Sequence, residues 1–431
     1  MSVKAAPDID FESNNSAHLA QQILLKIFKA YPDIFTFKLW DNREFLIGKG
    51  ISKFTIAIQS PTVLKDIVLF QDPIKLAEAY FEGLVEVDGD FNAAMHLRYY
   101  LENLKLSFNE KLLLISRAIK ISHSKPDLKT KTNKPSTLKR KNDVASIAFH
   151  YDVSNEFYGL WLDTRMVYSC AYFNTQDQSL ETAQANKLDY ICRKLQLKRE
   201  DYFLDIGCGW GALICWAAKH YGVRAHGITL SQNQFEFACK EVKRQGLEHL
   251  VQVEILDYRN LPQVSTYDKI SSIGMFEHVG LKNLSGYFSI VHRVLKPGGL
   301  FLNHGITSDE PGWNRSVSTK FINRHVFPDG ELDTISNIQN HMEQAHFEIL
   351  DVEGLRPHYA LTLRHWVNRL DAMHDKVVAL VGERTYRIWR LYMTGSALQF
   401  EEGATGIYQI LAERKKHGLP NIPLTRHYLY R

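Results

Sequence analysis

The stretch Tyr202 to Leu213, YFLDIGCGWGAL, constrains the fold more than any other part of the chain. An apolar strand ends in Asp205, glycines follow at alternate positions (Gly207, Gly209, Gly211), and a helix begins near Ala212. Glycines so spaced let the backbone turn sharply and approach a ligand with no Cβ in the way, and helix N-terminal amides then face it. This is a nucleotide-type site. A dinucleotide fingerprint reads G-x-G-x-x-G, and here the third glycine of that pattern is missing, leaving D-x-G-x-G-x-G.

The rest of the second half fits such a loop. Strand candidates Tyr202 to Ile206, Arg224 to Thr229, Val251 to Leu256, Lys269 to Ile273 and Leu300 to His304 alternate with helical patterns, and Lys296 to Gly299 (KPGG) reads as a tight turn from helix to strand. The expectation is an α/β, Rossmann-like doubly wound sheet, whose ligands sit beyond the carboxyl ends of the strands.

A chain of 431 residues is long for one core, and the first part reads differently. Residues 1 to 16 are polar and expected to be loosely ordered. Helical spacing runs from Ser16 to Tyr31, and strand-like runs follow at Phe35 to Trp40, Glu44 to Ile47 and Phe54 to Gln59. A helix from about Pro73 passes into EGLVEVDGD, and Ala93 to Ile121 reads helical again. Between Ser122 and Asn142, Lys125, Lys129, Lys131, Lys134, Lys139, Arg140 and Lys141 face one acid, Asp127, with Pro126 and Pro135 breaking any helix. A solvated linker and a contact for anionic lipid headgroups both explain this run. The expected division is a smaller α+β domain over 1–121, a basic flexible linker over 122–142 and a catalytic domain over 143–431.

A net charge of +4 over this length does not indicate a nucleic-acid partner. The cysteines (Cys170, Cys192, Cys208, Cys215, Cys239) contain no C-x-x-C pair, so neither a metal site nor a disulfide framework is expected, and a reducing compartment is. The N-terminus lacks the regions of a signal peptide, and no apolar run is long enough to span a bilayer, so the expectation is a soluble or peripheral protein.

Reading the strand ends in turn gives candidates. After the glycine loop come Thr229, Leu230 and Gln234 in GITLSQNQ, where many nucleotide folds place an acid for the ribose hydroxyls. Asp257 in LDYRNLP suits an adenine amino group or a plain surface turn. In IGMFEHVG, Ile273 and Gly274 pass the ligand, and Glu277 is a general base, a ligand for a cation or a helix N-cap charge. Cys170, His304 and Tyr359 each have an equally ordinary reading as core residues.

The D-x-G-x-G-x-G loop resembles the first loop of class I S-adenosylmethionine (SAM) methyltransferases. The block HYDVSNEFYGLWLDTRMVYSCAYF (His150 to Phe173), with LDIGCGWG, GITLSQNQ, FEHVG, KPGG, LNHGI and FPDGEL, resembles the cyclopropane fatty acid synthase family, which includes the mycolic acid cyclopropane synthases. The likeness covers most of residues 141 to 416, and EGLVEVDGDF extends it into the N-terminal domain that phospholipid-acting members carry. It implies methyl transfer from SAM to a cis double bond of a lipid acyl chain, then loss of a proton and ring closure. Tyr168, Ser169, Gly207, Gly209, Thr229, Leu230, Gln234, Asp257, Tyr258, Ile273 and Gly274 are thereby expected around SAM. Cys170, Glu277, His304, Ile306 and Tyr359 are expected to hold a bicarbonate ion as base.

An alkene is a weak nucleophile and its attack leaves cationic character, so the pocket must exclude water; Tyr151, Phe157, Tyr158, Tyr172 and Phe173 are candidate aromatic lining. Trp313 to Phe327, with Phe321, Ile322, Val326 and Phe327, is a candidate acyl tunnel or membrane contact. Two departures from the family pattern stand out: Ser396 occupies a position where some members have cysteine, and Gly305 to Thr307 differ locally from several bacterial synthases. The implied partner is an unsaturated phospholipid in a membrane with an anionic surface, the implied location cytoplasmic, peripherally associated with the inner face of the membrane, and a homodimer is left open. A methyl- or methylene-branched product, a small-molecule N-methyltransferase and a lipid-binding protein with a silenced site are the alternatives.

Overall fold

The computed structural model describes residues 9–70, 73–121, 154–312, 331–419 and 422–430. The chain separates into two units, Met1–Thr137 with Glu383–Ile388, and Leu138–Gly382 with Trp389–Arg431. The basic run 122–142, Tyr151 and the segment Trp313 to Phe327 lie outside the described residues.

In the first unit a helix, Ile9–Ile27, precedes β1 (Phe35–Lys38), β2 (Glu44–Ile47) and β3 (Phe54–Ile58), and helices Pro61–Phe70 and Pro73–Phe81 lead to β4 (Val85–Gly89). The helix starts well before Ser16, because backbone hydrogen bonding needs no apolar stripe and periodicity sees only the part that packs. The sheet order is β2-β1-β3-β4, with β1 and β3 parallel and the other pairs antiparallel. Alternate residues Phe35 and Phe37 turn inward onto Phe28, whose ring meets that of Phe35 edge-on at 5.3 Å. The stretch expected to be helical to Ile121 is three helices, Phe91–Met95, Leu97–Glu102 and Phe108–Ile119, and the last opens with a capping box between Ser107 and Glu110.

The second unit holds a seven-stranded sheet: β5 (Tyr202–Ile206), β6 (Arg224–Thr229), β7 (Val251–Ile255), β8 (Tyr267–Ile273), β9 (Leu295–Thr307), β10 (Phe347–Gly354) and β11 (Gly406–Arg414). Their order is β10-β11-β9-β8-β5-β6-β7, parallel throughout except for the two ladders made by β11. Chain order reverses between β5 and β8, so the crevice for a ligand opens at the carboxyl ends of those two strands. Both faces are covered: Phe203, Leu300 and Leu302 join Ile191, Leu213 and Ile214 in one core cluster, while Leu204, Ile206 and Phe301 join Phe288 and Val291 in the other. That is the period of two that a twice-buried strand requires.

One expected turn is absent. Lys296 to Gly299 lie inside β9, where the ladder to β8 jumps from Tyr267↔Leu295 to Lys269↔Leu300. A Cβ on Gly299 would stand 2.8 Å from the carbonyl oxygens of Asp268 and Lys296, so the glycine permits a bulge and strand pairing continues through it.

Candidate active site

The glycine loop sits at the end of β5 with φ of 78° at Gly207, 54° at Gly209 and 88° at Gly211, all in the region that favours glycine. The helix it feeds is Ala212–Tyr221. Above the carboxyl ends of β5, β6 and β8 lies one cavity, and Tyr168, Ser169, Gly207, Gly209, Thr229, Leu230, Gln234, Tyr258, Ile273 and Gly274 all line it. Thr229 donates its hydroxyl to Gln234 Oε1 at 2.8 Å, so this pair occupies the strand end where an acid was missed. Asp257 is the exception among the expected cavity residues. It is flanked by wall residues Leu256 and Tyr258, but its carboxylate is bound by the Arg259 side chain at 2.6 and 3.0 Å, which holds it below the usual carboxylate range although burial opposes this.

Tyr168 and Ser169 reach the cavity from a loop that Asp163 folds. Its buried carboxylate accepts from the amides of Arg165 (3.2 Å) and Val167 (2.8 Å). Behind the loop lies helix Leu180–Lys194, from which Lys187 lines the same cavity and donates to Ser169 Oγ at 2.9 Å. Lys187 was not anticipated, although the signal was present: it falls on the helical stripe with Leu180, Ala183, Leu188 and Ile191, where a charge is out of place. Trp210, Met275 and His278 are further wall residues, and burial lowers the His278 pKa to about 4.

The five expected base-holding residues are connected through backbone contacts outside that cavity. Glu277 Oε1 accepts from the Ile306 amide at 2.8 Å. Ile306 is paired with Ile407 across β9 and β11, and Ile407 accepts from the Leu355 amide. The Leu355 carbonyl in turn accepts from the Tyr359 amide at 3.2 Å and lies 3.9 Å from Cys170 Sγ. His304 stands two residues before Ile306 on the same strand face, its Nδ1 3.2 Å from Gln409 Nε2. Glu277 and His304 are both buried, and Glu277 Oε2 and His304 Nε2 have no hydrogen-bond partner among the described residues. Burial raises the Glu277 pKa to about 7, pushes the Cys170 thiol up and drives the His304 imidazole strongly toward neutrality. Gln409 was also missed; it is an inward position of β11, fully buried between Ile407 and Leu411.

Among the described residues, the aromatic candidates Phe157, Tyr158, Tyr172 and Phe173 do not line the cavity. Phe157 and Tyr158 are completely buried behind it, Tyr158 packing on the wall residues Tyr168 (5.6 Å) and Trp210 (5.0 Å). Tyr172 stacks on His358 at 4.6 Å and Phe173 on His365 at 5.4 Å. The Gly305 departure has a packing reason: a Cβ there would stand 2.0 Å from the ring of Phe276, the neighbour of Glu277.

Sheet order, glycine loop and cavity together define a class I SAM-dependent methyltransferase. The sequence model of the family described as mycolic acid cyclopropane synthetase matches residues 138–410, and the chain belongs to that family. It is similar to a probable fatty acid methyltransferase of Pseudomonas putida, 41% identical over 91% of this chain and 95% of that one. It is also similar to the cyclopropane-fatty-acyl-phospholipid synthase of Escherichia coli K12, 34% identical over 86% of this chain and 91% of that one. Among solved structures, mycolic acid cyclopropane synthase CmaA1 complexed with SAH and CTAB superposes with a TM-score of 0.60 at 34% identity, covering 64% of this chain and 99% of that one.

Proposed function

We propose that this lipid methyltransferase acts on unsaturated phospholipid acyl chains in a membrane and closes the methylated double bond to a cyclopropane ring. The alkene carbon attacks the SAM methyl, the carbon–sulfur bond breaks to leave a neutral thioether, and the adjacent carbon becomes cationic. Loss of one proton from the transferred methyl then closes the ring.

The observation that carries the reading is that Glu277, whose Oε1 accepts from the Ile306 amide, and His304, two residues along the same strand, each keep a buried polar atom, Oε2 and Nε2, with no partner among the described residues. Unsatisfied buried groups are costly, and a small planar oxyanion with one proton satisfies both. These residues fit bicarbonate, with Glu277, His304, Ile306, Cys170 and Tyr359 as its holders. Bound there, bicarbonate supplies a small base for the methyl proton. The residues' part is to orient: a neutral His304 whose Nδ1 faces the Gln409 amide group presents Nε2–H as a donor, and Glu277 accepts from or donates to the guest according to its own proton. The completely buried aromatic cluster of Phe157, Tyr158 and Trp161 keeps water from one side of the SAM cavity.

Among the described residues no helix is long and apolar enough to cross a membrane. We assign membrane contact to the anionic surface and the basic run 122–142, and lipid association to the N-terminal unit, as a peripheral enzyme of the cytoplasmic face requires. A branched product is the second reading, favoured by the name of the Pseudomonas putida relative.

The test is incubation with unsaturated phospholipid vesicles, with and without anionic lipid, and methyl-trideuterated SAM, followed by mass spectrometry of the fatty acids. Retention of two deuteriums with resistance to hydrogenation is expected. Three retained deuteriums mean a methyl branch and overturn ring closure; two with a reducible product mean a methylene branch.

A further inference from the structure

Lys187 is 2% exposed, yet its side chain is part of the SAM cavity wall and its Nζ lies 2.9 Å from Ser169 Oγ. No carboxylate lies within ion-pair distance of it among the described residues; Asp163 and Asp205 act on it only at longer range. A lysine buried in this way costs several kcal/mol unless something answers its charge.

The donor inventory fixes what Ser169 does. An ammonium only donates, so the Ser169 oxygen must accept from it. The hydroxyl proton is then turned away from Lys187. The Ser169 carbonyl is held separately by the Gln184 side-chain amide at 2.9 Å, which pins the residue from its main-chain side as well. Ser169 itself lines the cavity, so its outward O–H is a donor backed by a buried cation.

We propose that Lys187 is a positioning residue that makes Ser169 the hydrogen-bond donor for an anionic group of the co-substrate, the α-carboxylate of its amino-acid portion. Asp205, which also lines the cavity, supplies the opposite charge for the ammonium of the same portion. The pairing reads a zwitterion: a cation behind a hydroxyl at one end, a carboxylate at the other. Burial lowers the Lys187 pKa to about 8, and the longer-range pull of Asp163 and Asp205 keeps the ammonium form in use near neutral pH. The inference rests on the reading of the cavity as a SAM site.

The experiment is calorimetric binding to the full chain of two probes, S-adenosylhomocysteine, which carries the amino-acid portion, and 5′-methylthioadenosine, which lacks it. Wild type is expected to bind the first more tightly. Lys187→Met should weaken S-adenosylhomocysteine by about 30-fold and methylthioadenosine by less than about 3-fold, the scale of one charge-assisted hydrogen bond. Ser169→Ala should compress the preference in the same way, and the double variant should lose little more than either single one. Lys187→Gln, which still donates to a hydroxyl, covers the case in which the methionine variant fails to fold, and should retain part of the preference. Equal losses for both probes, no loss for either, or additive losses in the double variant overturn the proposal. Failure of wild type to bind either probe overturns the cavity reading instead.

Discussion

The two units bury different things. In the first, Ser16 and Ser60 are the buried polar residues among those described, no charge is buried, and apolar side chains are left outside: Ile51, Phe108, Leu112 and Ile119 are all more than half or about half exposed. In the second, Lys187, Asp205, Glu277 and His304 are buried at the carboxyl ends of the strands or under them, and two of these carry an orphaned polar atom. Apolar burial stabilises and charge burial costs, so a unit built for folding alone should look like the first. Burying those four side chains costs the second unit stability.

The strongest challenge to that contrast is removal of the orphaned groups. Glu277→Gln and His304→Ala should each lower lipid product by about 10³-fold, the scale of losing a positioned acid–base or polar group, while S-adenosylhomocysteine affinity changes little. Unchanged turnover in either variant removes that residue from the site.

Next in size is the glycine that lets Phe276 pack where it does. Gly305→Ala forces the ring away and should cost about 1–3 kcal/mol in denaturant unfolding, with a loss of activity because Glu277 adjoins that ring. An alanine variant with wild-type stability and activity would show that the ring is not fixed by this contact.

The deficit at Glu277 should also be visible as a pH dependence of stability. Its carboxyl is raised by burial from 4.5 to about 7, so the folded protein holds a proton that the unfolded chain releases between those values. Its contribution is complete below 4.5 and is lost as pH rises to about 7. Glu277→Gln, neutral at every pH, should therefore match wild type near pH 4 and exceed it by about 3 kcal/mol above pH 7 in denaturant titrations. A gap that is constant with pH contradicts the buried, proton-holding carboxyl.

The smallest effect belongs to the first unit. Leu112 and Ile119 are 50% and 59% exposed, so serine at both positions should shift stability by less than about 0.5 kcal/mol. A larger loss on thermal melting would mean that this face is covered in solution.

What was legible beforehand follows the range of the forces concerned. β5 and β6 fall at Tyr202–Ile206 and Arg224–Thr229 as the apolar runs indicate, and three glycines with positive φ mark the loop, because backbone sterics and burial pattern are local. β10 and β11 went unread: β10 is a half-buried edge strand with no strong pattern, and β11 pairs with strands distant in the chain. Lys187 and Gln409 were visible only as polar residues on buried stripes, a signal without a partner until the fold supplied Ser169 and His304.

The sequence by itself determined the glycine loop, the alternation that makes a doubly wound sheet and the family to which the chain belongs, since each is written in short contiguous motifs. Only the tertiary structure decided that ten expected residues share one cavity, and that Glu277 Oε2 and His304 Nε2 have no partner among the described residues. Pairing and burial depend on residues brought together across the sheet, and no local rule states which donor will meet which acceptor.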